Sequence, residues 1–167
     1  GTFAVTLRVT DRESVVEEEG AQAGVDRGGG GDANGTYPGN EGQPIPFSSA
    51  GSIDPDGDTL TYMWTFGDGT TSTAANPSHT YATGGSFTAT LRVTDPDELF
   101  DEGTAQVTVN RPPTAEANGP YSAGFGDPIG FSSADSGDPD DDQLTYRWDF
   151  GDGSTSTQAN PSHTYAS

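Results

Sequence analysis

The chain contains no cysteine and no lysine. Without cysteine there are no disulfide staples and no thiol chemistry, so each domain must be held by its apolar core. Without lysine the only basic residues are six arginines, set against 26 acidic residues for a formal net charge of −20. Such a field repels phosphates and makes nucleic acid a poor partner. Apolar residues are sparse at 29%, and no run of them approaches membrane-spanning length, which argues against membrane insertion. No signal peptide is visible. An aspartate-rich exterior stays soluble at high salt, where screening removes self-repulsion, so the composition fits either a halophilic protein or an acidic secreted one. Helical periodicity is missing from every window.

What the chain does have is a repeat. Asp54-Pro55-Asp56-Gly57-Asp58 returns 84 residues later as Asp138-Pro139-Asp140-Asp141-Asp142. Trp64-Thr65-Phe66-Gly67-Asp68-Gly69 returns as Trp148-Asp149-Phe150-Gly151-Asp152-Gly153, and Asn76-Pro77-Ser78-His79-Thr80-Tyr81 as Asn160-Pro161-Ser162-His163-Thr164-Tyr165. Residues 1–11 match 85–95 at the same offset. Fixed-period self-similarity is the signature of a tandem array. One whole unit is therefore flanked by the tail of one copy and the head of another.

Within the unit, Leu60, Tyr62, Trp64 and Phe66 alternate with small polar residues, as do Phe87, Ala89, Leu91 and Val93, then Ala105, Val107 and Val109, then Ile45 and Phe47. Period two with threonines on the wet side predicts half-buried strands. Gly67-Asp68-Gly69 falls between an aromatic strand and a Thr/Ser-rich one, a hairpin signal. It is not a phosphate loop, since no Lys follows it. Short strands separated by frequent turn signals predict an all-β sandwich.

Trp148-Asp149-Phe150-Gly151-Asp152-Gly153-Ser154, the Asn-Pro-Ser-His-Thr-Tyr segment at 160–165, and a Gly-Thr-Phe-x-Val-Thr-Leu-x-Val-Thr-Asp strand at residues 1–11 resemble the polycystic kidney disease (PKD) domain. The resemblance covers almost the whole chain. It implies tandem immunoglobulin-like β-sandwich modules of the kind strung along microbial cell-surface proteins and secreted hydrolases, with roles in adhesion, spacing or substrate contact. The middle copy departs from the pattern at Thr65, where the later copy has Asp149. The expected organisation is the C-terminal strands of an incomplete module at 1–26, a Gly-rich linker at 27–33, a complete module at 34–110, a Pro-rich linker at 111–117 and the N-terminal part of an incomplete module at 118–167. Four consecutive glycines, Gly28 to Gly31, stand where the later joint has Pro112-Pro113-Thr114-Ala115. Two readings are left: a first joint far looser than the second, or, favoured by the regularity of the rest of the repeat, residues whose identity is not that of the true sequence.

Asp54, Asp56 and Asp58, and again Asp138, Asp140 and Asp142, place hard oxygen donors at alternate positions of a turn, as loops that wrap Ca²⁺ do. These six residues are the candidate metal ligands and calcium the candidate cofactor, and some domains of the resembled family bind calcium near such a loop. The competing reading is a turn stabilised by its own aspartates. Asn34 and Asn118 could add a ligand. Three carboxylates at each loop would otherwise repel one another.

Trp64 and Trp148 lie at inward parity and read as core, while Tyr81 and Tyr165 read as corner tyrosines held by a hydroxyl hydrogen bond. His79 and His163 have no second His or Cys near them in sequence and support neither a metal site nor a catalytic triad. Asn34-Gly35-Thr36 is a glycosylation sequon, while the prolines after Asn76 and Asn160 leave those asparagines outside any sequon. The acidic pairs recur in turns, so no catalytic residues are assigned and no enzyme is expected.

Two functional readings follow. The first is a structural repeat of an extracellular or cell-surface protein, forming a stalk, filament or surface layer. Its partners would be adjacent copies of the module, in a longer chain or a head-to-tail homopolymer in which residues 1–26 complete a neighbour's sandwich. The second is an accessory adhesion or polymer-binding module of a secreted protease or hydrolase that docks on extracellular polysaccharide or protein polymers. That reading needs exposed aromatics, for which Tyr37, Tyr121, Phe100 and Phe125 are the candidates.

Overall fold

A computed structural model describes residues 2–10 and 16–166. Gly1, residues 11–15 and Ser167, which belong to the matched half-modules, lie outside it. Among the described residues there are thirteen strands and no helix.

The first two strands, β1 (Thr2–Thr10) and β2 (Val16–Gly24), form an antiparallel hairpin that is a sheet of its own. The middle unit holds β3 (Thr36–Asn40), β4 (Pro44–Pro46), β5 (Thr61–Thr65), β6 (Thr71–Ser72), β7 (Ser78–Thr80), β8 (Gly85–Thr94) and β9 (Phe100–Asn110). Five of these make one sheet in the order β3-β9-β8-β5-β6, with β3 parallel to β9, and β4 pairs with β7 to form the second layer. The last unit holds β10 (Ile129–Gly130), β11 (Trp148–Asp149), β12 (Thr155–Ser156) and β13 (Ser162–His163). Its pairings copy those of the middle unit at the 84-residue offset: Ile129 faces His163 as Ile45 faces His79, and Trp148 faces Ser156 as Trp64 faces Ser72.

The alternation read from the sequence sets which side chains turn inward. Trp64, Tyr81, Ala89, Leu91 and Val93 are fully buried, and Ile45, Phe47, Phe66, Ala105, Val107 and Val109 join them in one cluster. Phe47 is the bridge between layers, with its ring 4.4 Å from Tyr37, 5.4 Å from Trp64 and 5.0 Å from Phe66. The turn from β5 to β6 carries Gly67 at φ 80° and Gly69 at φ 91°, a conformation that costs a side chain energy. Gly67 is further constrained, because a Cβ there would lie 2.6 Å from the Thr88 carbonyl oxygen of β8.

The four-glycine segment is not a free tether. Gly29 is buried, Gly30 exchanges backbone hydrogen bonds with Ile53, and a Cβ on Gly31 would meet the Asp101 carbonyl at 3.2 Å. These glycines let the backbone lie directly against β9 and Leu60, which explains their run better than flexibility does.

The last unit is assembled but uncovered. Phe131, Trp148, Phe150 and Tyr165 are half-buried, where Phe47, Trp64, Phe66 and Tyr81 of the middle unit are buried. No described residue of the chain occupies beside β11 the place that β8 takes beside β5.

Candidate functional site

Each aspartate loop is first of all a turn. Asp54 Oδ1 accepts from the Asp56 N–H at 2.8 Å and the Asp58 N–H at 3.2 Å, and Asp138 Oδ1 accepts from the Asp140 and Asp142 N–H groups at 2.8 and 3.4 Å. The proline locks the entry and the leading carboxylate replaces a backbone acceptor. One oxygen of the leading aspartate is thus committed to structure.

The loops then receive the chain entering each unit, and here the copies diverge. At the second joint, Arg111 places three N–H groups on Asp140: its backbone N–H on Oδ2 at 2.6 Å, and Nε and Nη2 on Oδ1 at 3.1 and 2.8 Å. These bonds hold the Asp140 carboxyl below the usual carboxylate range, the side-chain contribution being the largest. With its amide nitrogen turned toward the loop, Asn110 also donates to Asp140 Oδ2 at 3.2 Å and Asp142 Oδ2 at 3.1 Å, an orientation assigned from those partners. The second loop is satisfied by protein alone.

At the first joint the Arg27 N–H donates to Asp56 Oδ2 at 2.9 Å in the same way. The residue in the place of Asn110, however, is Asp26, an acceptor that cannot donate to the loop. Burial, and after it the charges of Asp95, Asp97 and Asp58, push the Asp26 carboxyl above its ordinary value against a hydrogen bond from Arg27. Three carboxylate oxygens of this region, Asp26 Oδ2, Asp54 Oδ2 and Asp95 Oδ2, are buried without a hydrogen-bond partner. Asp95 is 5% exposed and uses its other oxygen to accept from the Leu99 N–H at 2.9 Å. Among the described residues no group of three or more His, Cys, Asp or Glu converges closely enough to hold a metal. The first loop therefore has unmet acceptors without a closed cage, while in the second Arg111 and Asn110 donate to Asp140 and Asp142. Periodicity singled out both loops alike and missed Asp26 and Asp95; the only sequence signal was the Asp26/Asn110 difference between copies.

Asn34 is spoken for elsewhere. At φ 55° it turns its amide to the Ser48 carbonyl at 3.0 Å, and Asn118 repeats this with Ser132 at 3.3 Å. Both fix the start of a module.

The histidines form a polar cluster at the β5–β6 turn. His79 Nε2 lies 2.7 Å from Asp68 Oδ2 and 3.3 Å from Thr70 Oγ1, while the Thr70 hydroxyl donates to Asp68 Oδ1 at 2.6 Å. His163, Asp152 and Ser154 repeat the arrangement. A serine–histidine–aspartate relay needs the two ring nitrogens to face different partners. Here one nitrogen meets both and the hydroxyl is bonded to the carboxylate, so the cluster is a turn clamp. His79 stacks on Phe66 at 4.2 Å and 10°, which ties the clamp to the core.

Of the four aromatics expected at the surface, two are not there for contact. Tyr37 and Tyr121 are half-buried and donate their hydroxyls to the carbonyls of Ala33 at 2.9 Å and Ala117 at 2.7 Å. Phe100 is 52% exposed but lies under the Arg92 guanidinium, 3.4 Å from the ring centroid. Phe125 is 86% exposed and projects from a loop.

Comparison with known proteins places these features. The PKD domain family profile matches residues 31–109 and again 110–167. Among curated relatives, the collagenase ColA of Bacillus cereus is 41% identical over 80 residues, and the pre-pro-metalloprotease PrtV of Vibrio cholerae 43% identical over 72 residues. These alignments cover 48% and 40% of this chain, and only 8% of each relative's length. A solved PKD1 domain of Vibrio anguillarum Epp aligns over 53% of this chain and 100% of its own, with 28% identity and a TM-score of 0.44.

Proposed function

Because the chain belongs to the PKD domain family, we propose that it is an extracellular, non-catalytic accessory segment of a secreted protease or polymer-degrading hydrolase, in which tandem modules space the enzyme and touch its polymeric substrate. The modules themselves are not an enzyme. The observation that carries the reading is the similarity to short stretches of a collagenase and a metalloprotease, at 41% and 43% identity. Phe125, exposed on its loop, and the acidic surface supply a contact for a polymer with basic groups. A pull-down on insoluble collagen tests it: retention that falls in Phe125→Ala and at raised salt is expected, and a chain left wholly in the supernatant overturns it.

The structural-repeat reading keeps one supporting observation, the second joint. Three N–H groups of Arg111 on one carboxylate, followed by Pro112-Pro113, favour a fixed angle between consecutive modules. A stiff joint suits a spacer, and the two readings coexist in an accessory segment.

Calcium belongs to the same proposal, at the first joint only. Asp26, Asp54 and Asp95 each carry an oxygen that is buried and without a partner; they do not converge into a cage as they stand, so an ion would have to draw these hard oxygen donors together around itself. The ion would neutralise the carboxylates that now repel Asp26. Asp138, Asp140 and Asp142 are left out, since Arg111 and Asn110 already meet that loop.

A further inference from the structure

We infer that Asn34 is an acceptor for an N-linked glycan, and that it is the one asparagine of this sequence fitted to be so. Asn34-Gly35-Thr36 carries the acceptor pattern. Of the other asparagines, Asn40, Asn110 and Asn118 lack a hydroxyl residue two positions on, and Asn76 and Asn160 are followed by proline. The inference rests on the extracellular placement proposed above, because the modification belongs to the surface loops of secreted chains.

The pattern alone is weak; the turn that carries it is what fits. Asn34, Gly35 and Thr36 are all exposed. Asn34 and Gly35 hold a left-handed backbone at φ 55° and 89°, and a Cβ on Gly35 would meet nothing within 4 Å, so the turn stands open to solvent. The Asn34 amide has two hydrogens to give. It donates to the Ser48 carbonyl at 3.0 Å, while its approach to the Asp32 carbonyl, at 3.5 Å, is past the normal length of such a bond. Asn34 can therefore exchange one hydrogen for a sugar and keep the bond to Ser48 that fixes the start of the module. Thr36 opens β3 with its side chain at the surface, and among the described residues its hydroxyl has no hydrogen-bond partner.

The repeat separates what the turn needs from what the glycan needs. Asn118 has the same backbone, at φ 54°, and the same amide bond, to the Ser132 carbonyl at 3.3 Å. The asparagine therefore serves the turn in both copies. The third position does not, for Pro120 stands where the first copy has Thr36. The turn forms with either residue, and only Asn34 has the hydroxyl beside it that transfer requires.

The donor is a lipid-linked oligosaccharide, and a separate transferase supplies the catalysis. The bond from the sugar's anomeric carbon to the lipid's phosphate oxygen breaks, and a bond from that carbon to Asn34 Nδ2 forms. One amide proton passes to the transferase's base, and the lipid phosphate leaves.

The test incubates the folded full chain with an oligosaccharyltransferase and a lipid-linked oligosaccharide of known mass, beside an acceptor peptide as positive control. Intact mass should rise by one oligosaccharide per chain, which peptide mapping places on Asn34. Thr36→Ala should abolish the gain and Thr36→Ser retain it, with melting unchanged in both, so that loss is not a failure to fold. A wild-type chain that gains nothing while the control peptide is modified overturns the inference, as does a gain that survives Thr36→Ala. A gain confined to the unfolded chain also overturns it, because the native turn then withholds the amide. A chain that takes the glycan but is not retained on collagen supports this inference and counts against the accessory-segment reading.

Discussion

Tyr81 donates its hydroxyl to the backbone carbonyl of Phe66 at 2.9 Å, and Tyr165 does the same to Phe150 at 3.0 Å. The two bonds are alike in geometry and unlike in surroundings, for Tyr81 is fully buried and Tyr165 is not. Removing the hydroxyl leaves a buried carbonyl without its partner only in the middle unit, so Tyr81→Phe should cost about 1–2 kcal/mol and Tyr165→Phe less. Urea unfolding of the two variants checks the difference.

The same burial, with the charge of Asp68 behind it, pushes the Tyr81 hydroxyl up to about 12 from 10.0. A folded-state value above the unfolded one means that the unfolded chain loses its proton first as pH rises. The contribution of Tyr81 is therefore whole below pH 10 and is lost between 10 and about 12. Melting temperatures of the wild type and Tyr81→Phe should converge over that window; a constant gap counts against it.

At the acid end the turn clamps decide. Burial alone would raise Asp68, but hydrogen bonds from Thr70 and His79 outweigh it and hold the carboxyl low. Asp152 is lowered by Ser154 first and then by His163. A depressed folded value stabilises above the unfolded value of 3.8 and is lost as pH falls through the folded one. Asp68→Asn should melt earlier than wild type at neutral pH, and the gap should close in acid. A gap that persists below the titration of both carboxyls argues that the clamp works by shape alone.

The strand faces were legible in the sequence because a local rule governs them: Trp64, Leu91 and Val93 alternate with threonines, and one sheet face is buried. The turn at Gly67 was legible for the same reason. Tyr37 was not. It sits on β3, whose parallel partner β9 lies about 70 residues on, and no local pattern announces such a pairing. The first joint was hidden likewise, since the charges of Asp95 and Asp58 come to bear on Asp26 only through the fold. The histidine cluster was half visible, its residues recurring with the repeat but its single shared nitrogen being a matter of geometry.

Converting the first joint into the second checks the calcium proposal. Asp26→Asn gives the loop an amide donor in the place that Asn110 occupies. It removes the carboxyl that Asp95, Asp97 and Asp58 repel. The variant should melt a few degrees above wild type in chelator and gain less from added calcium, while Asp138→Asn leaves the calcium response untouched. Equal responses in all three chains would sink the assignment of the ion to the first joint.

Gly67 and Gly151 share a left-handed backbone, at φ 80° and 82°, which by itself costs an alanine roughly 1–2 kcal/mol. Their surroundings differ. A Cβ on Gly67 would sit 2.6 Å from the Thr88 carbonyl of β8, whereas a Cβ on Gly151 meets nothing within 4 Å. Backbone in a closed sheet cannot step aside, so Gly67→Ala should cost more than the turn alone, about 3 kcal/mol or above, and Gly151→Ala only the turn. Urea unfolding of the two variants beside wild type separates the cost of the turn from the cost of the contact. A Gly67→Ala chain that loses no more stability than Gly151→Ala means that the Thr88 carbonyl yields to the added methyl.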